Sequence, residues 1–185
     1  MSSALVLLGL LAAATGVPDS AEPARIPNYR LVAPGIAAAG QPSPAALSDL
    51  KAMGFGVVVN LRTEKEADIA AEKKVVEAQG LRYVSVPITP DSFRLEDVLA
   101  VQRVLEDPWT GPVLLHCASS NRVGGVLAVL QARKGKPLDE ALAAGRAAGM
   151  SSPAMENAVR RVLGAPLLPA APAAAAAPGA ASPRP

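Results

Sequence analysis

The chain has little of several residue types on which common protein functions depend. Its 185 residues include one cysteine and one histidine, and aromatic residues make up only 3%. A lone cysteine excludes an internal disulfide, and with a single histidine a zinc site would need carboxylates almost alone. So few aromatic side chains argue against the stacking platforms that bind carbohydrate or single-stranded nucleic acid.

An excess of charge of one sign is also missing. The formal net charge is +2, which indicates neither a nucleic-acid partner nor an anionic membrane surface. The sequence contains no glycine-rich nucleotide-binding loop and no cluster of metal-ligating residues. We therefore predict a protein with no metal, no cofactor and no nucleic-acid partner.

Both ends of the chain differ in composition from the middle. Residues 4–14 form an apolar run that is short for a membrane span and resembles a secretory signal, although no lysine or arginine precedes it. We predict a signal peptide over 1–16, a linker over 17–25, export to the periplasm or the exterior, and no stable membrane insertion after cleavage. An uncleaved anchor and a misplaced start are the alternatives.

The other end is nearly all alanine and proline, and it lacks hydrophobic periodicity. It has too little large apolar surface to offset the entropy of the chain, so we predict a disordered tail over 164–185. The remaining residues, 26–163, are enough for one domain with a real core.

Strand patterns and helix patterns alternate along this middle part. Such an order is typical of a single-domain α/β fold with a mostly parallel central sheet and helices on both faces. The predicted strands lie at 29–33, 36–39, 55–60, 82–86 and 113–115. The predicted helices lie at 43–54, from the capping box Thr63–Glu66 to about Gln79, at 95–105, from Val126 to about Gly135, at 137–147 and at 152–163.

The only cysteine and the only histidine are adjacent, in His116-Cys117-Ala118-Ser119-Ser120-Asn121-Arg122 between a strand and a helix. A helix N-terminus and a guanidinium supply the positive potential that a thiolate needs, and the loop amides suit a phosphate-like anion. We predict that Cys117 is a nucleophile that attacks phosphorus and that Arg122 grips two non-bridging oxygens. A buried structural cysteine is the alternative.

The residues around these two are assigned to substrate binding. The backbone of Ala118, Ser119, Ser120 and Asn121 forms the predicted anion cradle. His116 is included, but its side chain leaves the strand on the face opposite to Cys117, so we expect it to orient the loop. Three strand ends, at 60–62, 87–91 and 116–117, meet at one edge of the sheet, where ligands of such folds bind.

A candidate general acid lies in one of these strand-end loops. Asp91 follows the strand at 82–86 within Pro87-Ile88-Thr89-Pro90-Asp91-Ser92. We predict that it protonates the leaving oxygen. The alternative is that Asp91 or Ser92 caps the helix that begins near Leu95.

Four segments together resemble the beta-lactamase-hydrolase-like protein phosphatase family, a branch of the cysteine-dependent, dual-specificity-type phosphatases. They are Gly40-Gln41-Pro42-Ser43, Val58-Val59-Asn60-Leu61-Arg62, Val86-Pro87-Ile88-Thr89 and His116 to Gly124. The resemblance covers about 26–163 and implies a cysteine-phosphatase-like fold. It also implies Cys117 as nucleophile and Arg122 as phosphate ligand, acting on a phosphorylated protein (phosphotyrosine or phosphoserine) or a small phosphoester.

Two departures from the general pattern leave other functions open. Four residues separate Cys117 from Arg122 where the superfamily has five, and this length is close to that of rhodanese-type sulfurtransferases, whose cysteine carries a persulfide. The branch usually has glycine at Ser120, and glycine adopts positive φ at little cost. Ser120 is therefore expected to strain the loop or change its shape. A sulfurtransferase and a catalytically inactive phosphate-binding module are the alternatives.

Overall fold

The computed structural model describes residues 26–108 and 111–169. The strands in these residues are β1 Arg30–Ala33, β2 Ile36–Ala39, β3 Val57–Asn60, β4 Arg82–Ser85 and β5 Val113–His116. The helices are α1 Pro44–Asp49, α2 Ile69–Glu77, α3 Leu95–Glu106, α4 Asn121–Arg133, α5 Leu138–Ala147 and α6 Pro153–Val162. The predicted signal peptide and linker, and most of the predicted tail, lie outside the described residues.

The five strands form one sheet in the order β1-β2-β5-β3-β4. β2, β5, β3 and β4 pair in parallel, and β1 pairs with β2 in the antiparallel sense. The predicted α/β fold with a mostly parallel sheet is therefore confirmed. Ala39 and Asn60 both pair with His116, so β2, β3 and β5 end at the same level. This register brings the segments after three strands to one edge.

Helices cover both faces of the sheet, and each face has its own apolar core. Leu115 faces the cluster that contains residues of α3, α4, α5 and α6, whereas Leu114 faces the cluster built with α1 and α2. Every residue of β3 and β5 is buried. Central parallel strands are covered on both faces, which explains why they appear in the sequence as continuous apolar runs.

Two helices do not begin where the sequence predicts: α2 begins later, and α4 begins earlier. The Thr63 amide and hydroxyl do donate to Glu66 Oε2, at 3.0 and 2.9 Å, but these bonds close a turn. α2 begins only at Ile69, where the Asp68 side chain accepts from the Ala71 amide. The Thr63 amide and hydroxyl find the same carboxylate acceptor in a turn as they would at the start of a helix. The Thr–Glu pattern alone therefore did not locate the start of α2.

The start of α4 is the second correction. The helix begins at Asn121 rather than Val126, so Arg122 lies in its first turn. Gly124 and Gly125 disfavour a helix by propensity. Both are needed for close packing, because a Cβ on Gly124 would collide with Gly145 O and a Cβ on Gly125 with the Met155 side chain. Tertiary contact therefore overrides the local preference.

The first residues of the predicted tail lie against α6. The Leu168 amide donates to Asn157 Oδ1 at 2.8 Å, and Arg160 Nη1 donates to Pro166 O at 3.1 Å. Polar side chains of the helix hold this segment, although its own sequence has no hydrophobic period. None of the helices in the described part of the chain is long and apolar enough to cross a membrane.

Candidate active site

The segment from Cys117 to Arg122 joins β5 to α4: residues 117–120 form a tight loop, and Asn121 and Arg122 begin the helix. Cys117 is 1% exposed, and its amide donates to Ala39 O at 3.3 Å. The Gln41 amide donates to Ala118 O at 3.1 Å, and Asn28 Nδ2 donates to Ser119 O at 3.2 Å. The outer side of the loop is thus tied to the segments that precede β1 and follow β2.

Several amides of the loop and of the first turn of α4 have no acceptor among the described residues. Among the described residues, the amides of Ser119, Asn121 and Arg122 donate to no acceptor, and the first bond of α4 runs from Gly124 N to Ser120 O at 2.9 Å. The first amides of a helix lack intrahelical partners and carry its partial positive charge. The loop therefore has the donors that an anion cradle requires.

Ser120 adopts the left-handed conformation at the turn into α4. Its φ is 70° and its ψ is −2°, and its side chain is fully buried. It makes no cap bond to the helix. Instead its Oγ donates to Ala148 O at 2.8 Å, and its Cβ packs on Gly149. Ser120 thus supplies the positive φ that the loop needs, and a hydrogen bond to the end of α5 holds it there.

Arg122 is buried and held in one orientation. Its Nη1 and Nη2 each lie 2.7 Å from an oxygen of Glu66, and Nη1 also donates to Ile88 O at 3.0 Å. Burial would lower the pKa of Arg122, but its interactions with Glu66 and Cys117 raise it overall. The guanidinium therefore stays cationic beside the thiol.

Glu66 is a functional residue that sequence reasoning missed. The Arg122 hydrogen bond is the main reason that the pKa of its carboxyl falls from 4.5 to about 2, against the opposing effect of burial. The two residues are 56 positions apart in sequence. The local signal, a Thr–Glu pair at capping spacing, indicated a helix start and gave no reason to expect an arginine partner.

A second carboxylate lies beneath the loop on the other face of the sheet. Oε1 of Glu72 accepts from Asn60 Nδ2 at 3.0 Å and from the Tyr83 hydroxyl at 3.1 Å, and it lies 2.9 Å from His116 Nε2. Oε2 accepts from Gln41 Nε2 at 2.7 Å. Burial would raise the pKa of Glu72, but these partners, His116 first among them, lower it overall.

This network decides what His116 does. The imidazole is fully buried and faces Glu72 of α2, whereas Cys117 belongs to the cluster on the α4 side. The structure therefore separates His116 from the cradle and makes it part of a buried polar group. Tyr83 is held in the same group, and burial raises the pKa of its hydroxyl.

The Asn121 side chain is also turned away from the cradle. Its Oδ1 accepts from the amides of Ser151 and Ser152, at 2.8 and 3.1 Å, and its Nδ2 donates to Ser152 Oγ at 2.9 Å. The side chain instead fastens the segment that leads into α6.

Asp91 lies exposed in a turn after β4, and the described residues make no hydrogen bond or ion pair with its carboxylate. The predicted alternative, a cap on the next helix, is wrong for both residues. Arg94 precedes α3 and its amide donates to Asp97 Oδ2, while Ser92 Oγ accepts from Thr89 N at 3.0 Å.

The loop that carries Asp91 is held by Arg122 of the site and by Arg161 of α6. Ile88 O accepts from Arg122, and Pro90 O accepts from Arg161 Nη2 at 2.7 Å. The candidate acid and the candidate phosphate ligand are therefore on connected segments. No group of three or more metal-ligating side chains occurs in residues 26–108 and 111–169.

A thiol loop that opens a helix at the edge of a mostly parallel sheet, with an arginine in the first helical turn, defines the cysteine-phosphatase-like class of α/β proteins. Residues 28–135 match the family model of the beta-lactamase hydrolase-like protein, phosphatase-like domain, and the chain belongs to this family. The predicted family is thereby confirmed. None of the curated proteins compared with the chain matches it.

Three solved structures are similar in fold to this chain. A cysteine-to-serine variant of TpbA from P. aeruginosa, in complex with phosphotyrosine, is 21% identical with a TM-score of 0.60, covering 84% of this chain and 93% of that chain. The active form of Tk-PTP is 23% identical with a TM-score of 0.61, covering 74% and 96%. The core catalytic domain of the PP-IP phosphatase SIW14 from S. cerevisiae is 15% identical with a TM-score of 0.60, covering 73% and 86%.

Proposed function

We propose that this protein hydrolyses phosphomonoesters through a phosphocysteine intermediate on Cys117. The observation that carries the proposal is a buried thiol that lies just before the N-terminal turn of α4 and interacts with the Arg122 guanidinium, which Glu66 holds in place. A thiolate is stabilised by both positive groups, and the same groups attract a phosphate dianion.

Substrate binding would use the inner edge of the loop. Glu66 occupies one hydrogen on each of Nη1 and Nη2 of Arg122. The Nε hydrogen and the second Nη2 hydrogen lie on the other edge of the guanidinium, where two phosphate oxygens can accept from them. The free loop amides would bind the remaining charge, which grows in the transition state.

The first chemical step would transfer the phosphoryl group to sulfur. The Sγ lone pair of Cys117 forms a bond to phosphorus while the bond from phosphorus to the ester oxygen breaks. The bonding electrons leave with that oxygen, which takes a proton from Asp91. In the second step the Asp91 carboxylate removes a proton from water, the water oxygen bonds to phosphorus, and the P–S bond breaks to return the thiolate and release phosphate.

The substrate class rests on comparison as well as on the site. TpbA binds phosphotyrosine and SIW14 acts on a PP-IP compound, so this fold accommodates both aryl and small highly charged phosphates. We propose a phosphorylated protein or a small phosphoester as substrate. An aryl phosphate is the appropriate first probe, because its good leaving group makes the fewest demands on the acid.

The spacing between Cys117 and Arg122 also supports a second candidate function, that of a sulfurtransferase. Four residues separate Cys117 from Arg122. This loop length is close to that of rhodanese-type sulfurtransferases, in which the cysteine carries a persulfide. A dead binding module is less well supported, because Ser120 adopts the required positive φ and is held there by Ala148 O.

Replacing Cys117 with serine tests the covalent mechanism. The variant should release no phosphate from p-nitrophenyl phosphate, because the hydroxyl is not ionised near neutral pH, and its unfolding curve should match that of the wild type. Acid quenching of the wild type during turnover should trap a phosphorylated cysteine. Transfer of sulfur from thiosulfate to cyanide, without phosphate release, would instead assign the sulfurtransferase function. Turnover by Cys117→Ser close to that of the wild type would eliminate both.

A further inference from the structure

A cavity of about 520 Å³ lies away from the candidate active site, between the β1–β2 hairpin and helices α3, α4 and α5. No residue of the loop from Cys117 to Arg122 lines it. Its volume is within the usual range for small-molecule sites, which are mostly apolar with a few placed polar groups.

The floor of the cavity is apolar. Leu127 and Leu130 of α4, Leu105 of α3 and Ala144 of α5 line it. Leu31 of the edge strand β1 also lines it and is 44% exposed, which makes it one of the exposed large hydrophobic side chains of the described residues. An apolar chain of a ligand would remove this surface from water.

The rim of the cavity carries an excess of positive charge. Arg30, Arg133 and Lys134 line it, against one carboxylate, Glu106. In residues 26–108 and 111–169, none of the three cations is in an ion pair with a carboxylate. The carboxyl ends of nearby helices contribute only about half an elementary charge each, so the net potential at the rim is positive.

The contacts of the rim cations are with neutral groups. Arg30 Nη1 donates to Ala147 O at 2.6 Å, and Arg133 Nε donates to Gln102 Oε1 at 3.4 Å. A charged acceptor forms a stronger bond with a guanidinium than a neutral carbonyl does. A ligand with an anionic head could therefore displace these contacts with a gain in binding energy.

We propose that this cavity binds an amphipathic monoanion of the fatty-acid class. An aliphatic chain of medium length packs on Leu127 and Leu130, and its carboxylate pairs with Arg30 and with the Arg133–Lys134 segment. This assignment combines two observed features, the apolar floor and the cationic rim, whose cations form no ion pair with any carboxylate of the described residues.

The cavity wall is directly connected to the phosphate cradle. Ala148 lines the cavity, and its carbonyl oxygen is the one that accepts from Ser120 Oγ. An anion could also enter the cradle itself, since Arg122 lies there. Binding must therefore be measured while inorganic phosphate saturates the cradle.

Isothermal titration calorimetry of the full chain with sodium decanoate, in the presence of saturating phosphate, tests the proposal. We expect saturable binding of one decanoate per chain, and at least about tenfold weaker binding of the neutral 1-decanol, because the alcohol lacks the charge-assisted bonds. Displacement of decanoate by phosphate, equal affinity for decanol, or no saturable binding would overturn the proposal.

Matched variants locate the ligand. Ala144→Phe places a ring in the cavity and should weaken decanoate binding at least about tenfold, whereas Ala143→Phe, at the neighbouring exposed position outside the lining, should not. Lys134→Glu should weaken binding, and Lys136→Glu, outside the lining, should have little effect.

Circular dichroism would check that Ala144→Phe folds, and Ala147→Phe, an exposed position in the same lining, replaces it if it does not. Equal binding by the blocking and control variants would contradict the proposed location. If sedimentation instead reveals a dimer that the blocking variant dissociates, and decanoate does not bind, the occupant is a second copy of this chain and the proposal is wrong.

Discussion

Substitutions of Ser120 would separate two contributions to stability: the backbone strain of its positive φ and the hydrogen bond of its side chain. Its φ of 70° destabilises a residue other than glycine by about 1–2 kcal/mol. Its Oγ donates to Ala148 O at 2.8 Å, and such a bond contributes about 0.5–1.5 kcal/mol, while a buried acceptor left unpaired costs about 1–3 kcal/mol. The positive φ therefore destabilises the fold, whereas the hydrogen bond stabilises it.

Two substitutions distinguish them. Ser120→Ala keeps the strained φ and loses the hydrogen bond, so the free energy of unfolding should fall by about 1–3 kcal/mol. Ser120→Gly loses the same bond but relieves φ, and the freedom of glycine in the unfolded chain cancels about 0.4–1 kcal/mol of that gain. The glycine variant should therefore be more stable than the alanine variant by about 0.5–1 kcal/mol.

The assay is equilibrium unfolding in urea, followed by circular dichroism, with a vanadate titration of the native protein beside it. Ser119→Ala is the matched control, because Ser119 is exposed and does not have positive φ. If the alanine variant is as stable as the wild type, the bond to Ala148 contributes nothing. If glycine is no more stable than alanine, the left-handed conformation carries no strain and the reasoning fails.

The other predictions concern the three charged groups of the site. The pKa of Glu66 is lowered to about 2, so its ion pair with Arg122 stabilises the fold fully above pH 4.5, and this contribution is lost as the pH falls toward 2. Unfolding midpoints of the wild type and Glu66→Gln should therefore differ at pH 7 and converge near pH 2; a constant difference would show that the charge is not involved. Arg122→Lys should lose about tenfold to a thousandfold in turnover of an aryl phosphate, nearly as much as Arg122→Ala, because lysine lacks the planar fork; near wild-type turnover would reduce Arg122 to a nearby charge. Asp91→Asn should slow an alkyl phosphate far more than an aryl phosphate, since general acid catalysis typically contributes about a hundredfold to ten-thousandfold when the leaving oxygen is basic; equal, slight slowing of both substrates would remove Asp91 from the acid role.

The fold could be predicted because its signals are local. Val57-Val58-Val59 is apolar throughout, since β3 is buried on both faces, and the strands alternate with helical periods along the chain. Ser43 and Ser152 precede α1 and α6 as caps, each with a proline at the start of the helix. The prediction of export concerns residues outside the described part of the chain and stays a prediction.

The candidate nucleophile and its arginine were also predictable, because both lie within one short segment of the chain. Cys117 and Arg122 are five positions apart, and the strand before them and the helix after them are evident from hydropathy. The start of α4 was not predictable from the sequence, because Gly124 and Gly125 in its first turns disfavour a helix by propensity. Their small size is required only by Gly145, Met150 and Met155, which come from later in the chain.

By itself, the sequence determined the order of strands and helices, the parallel sheet and the position of the thiol loop, because each follows from residues that are neighbours in the chain. Tertiary structure alone decided which carboxylates serve that loop. Glu66 meets Arg122 across 56 positions in sequence, and Glu72 of α2 meets His116 at the end of β5. Such pairs form only when strand register and helix packing bring distant segments within about 3 Å, and no local pattern encodes that distance.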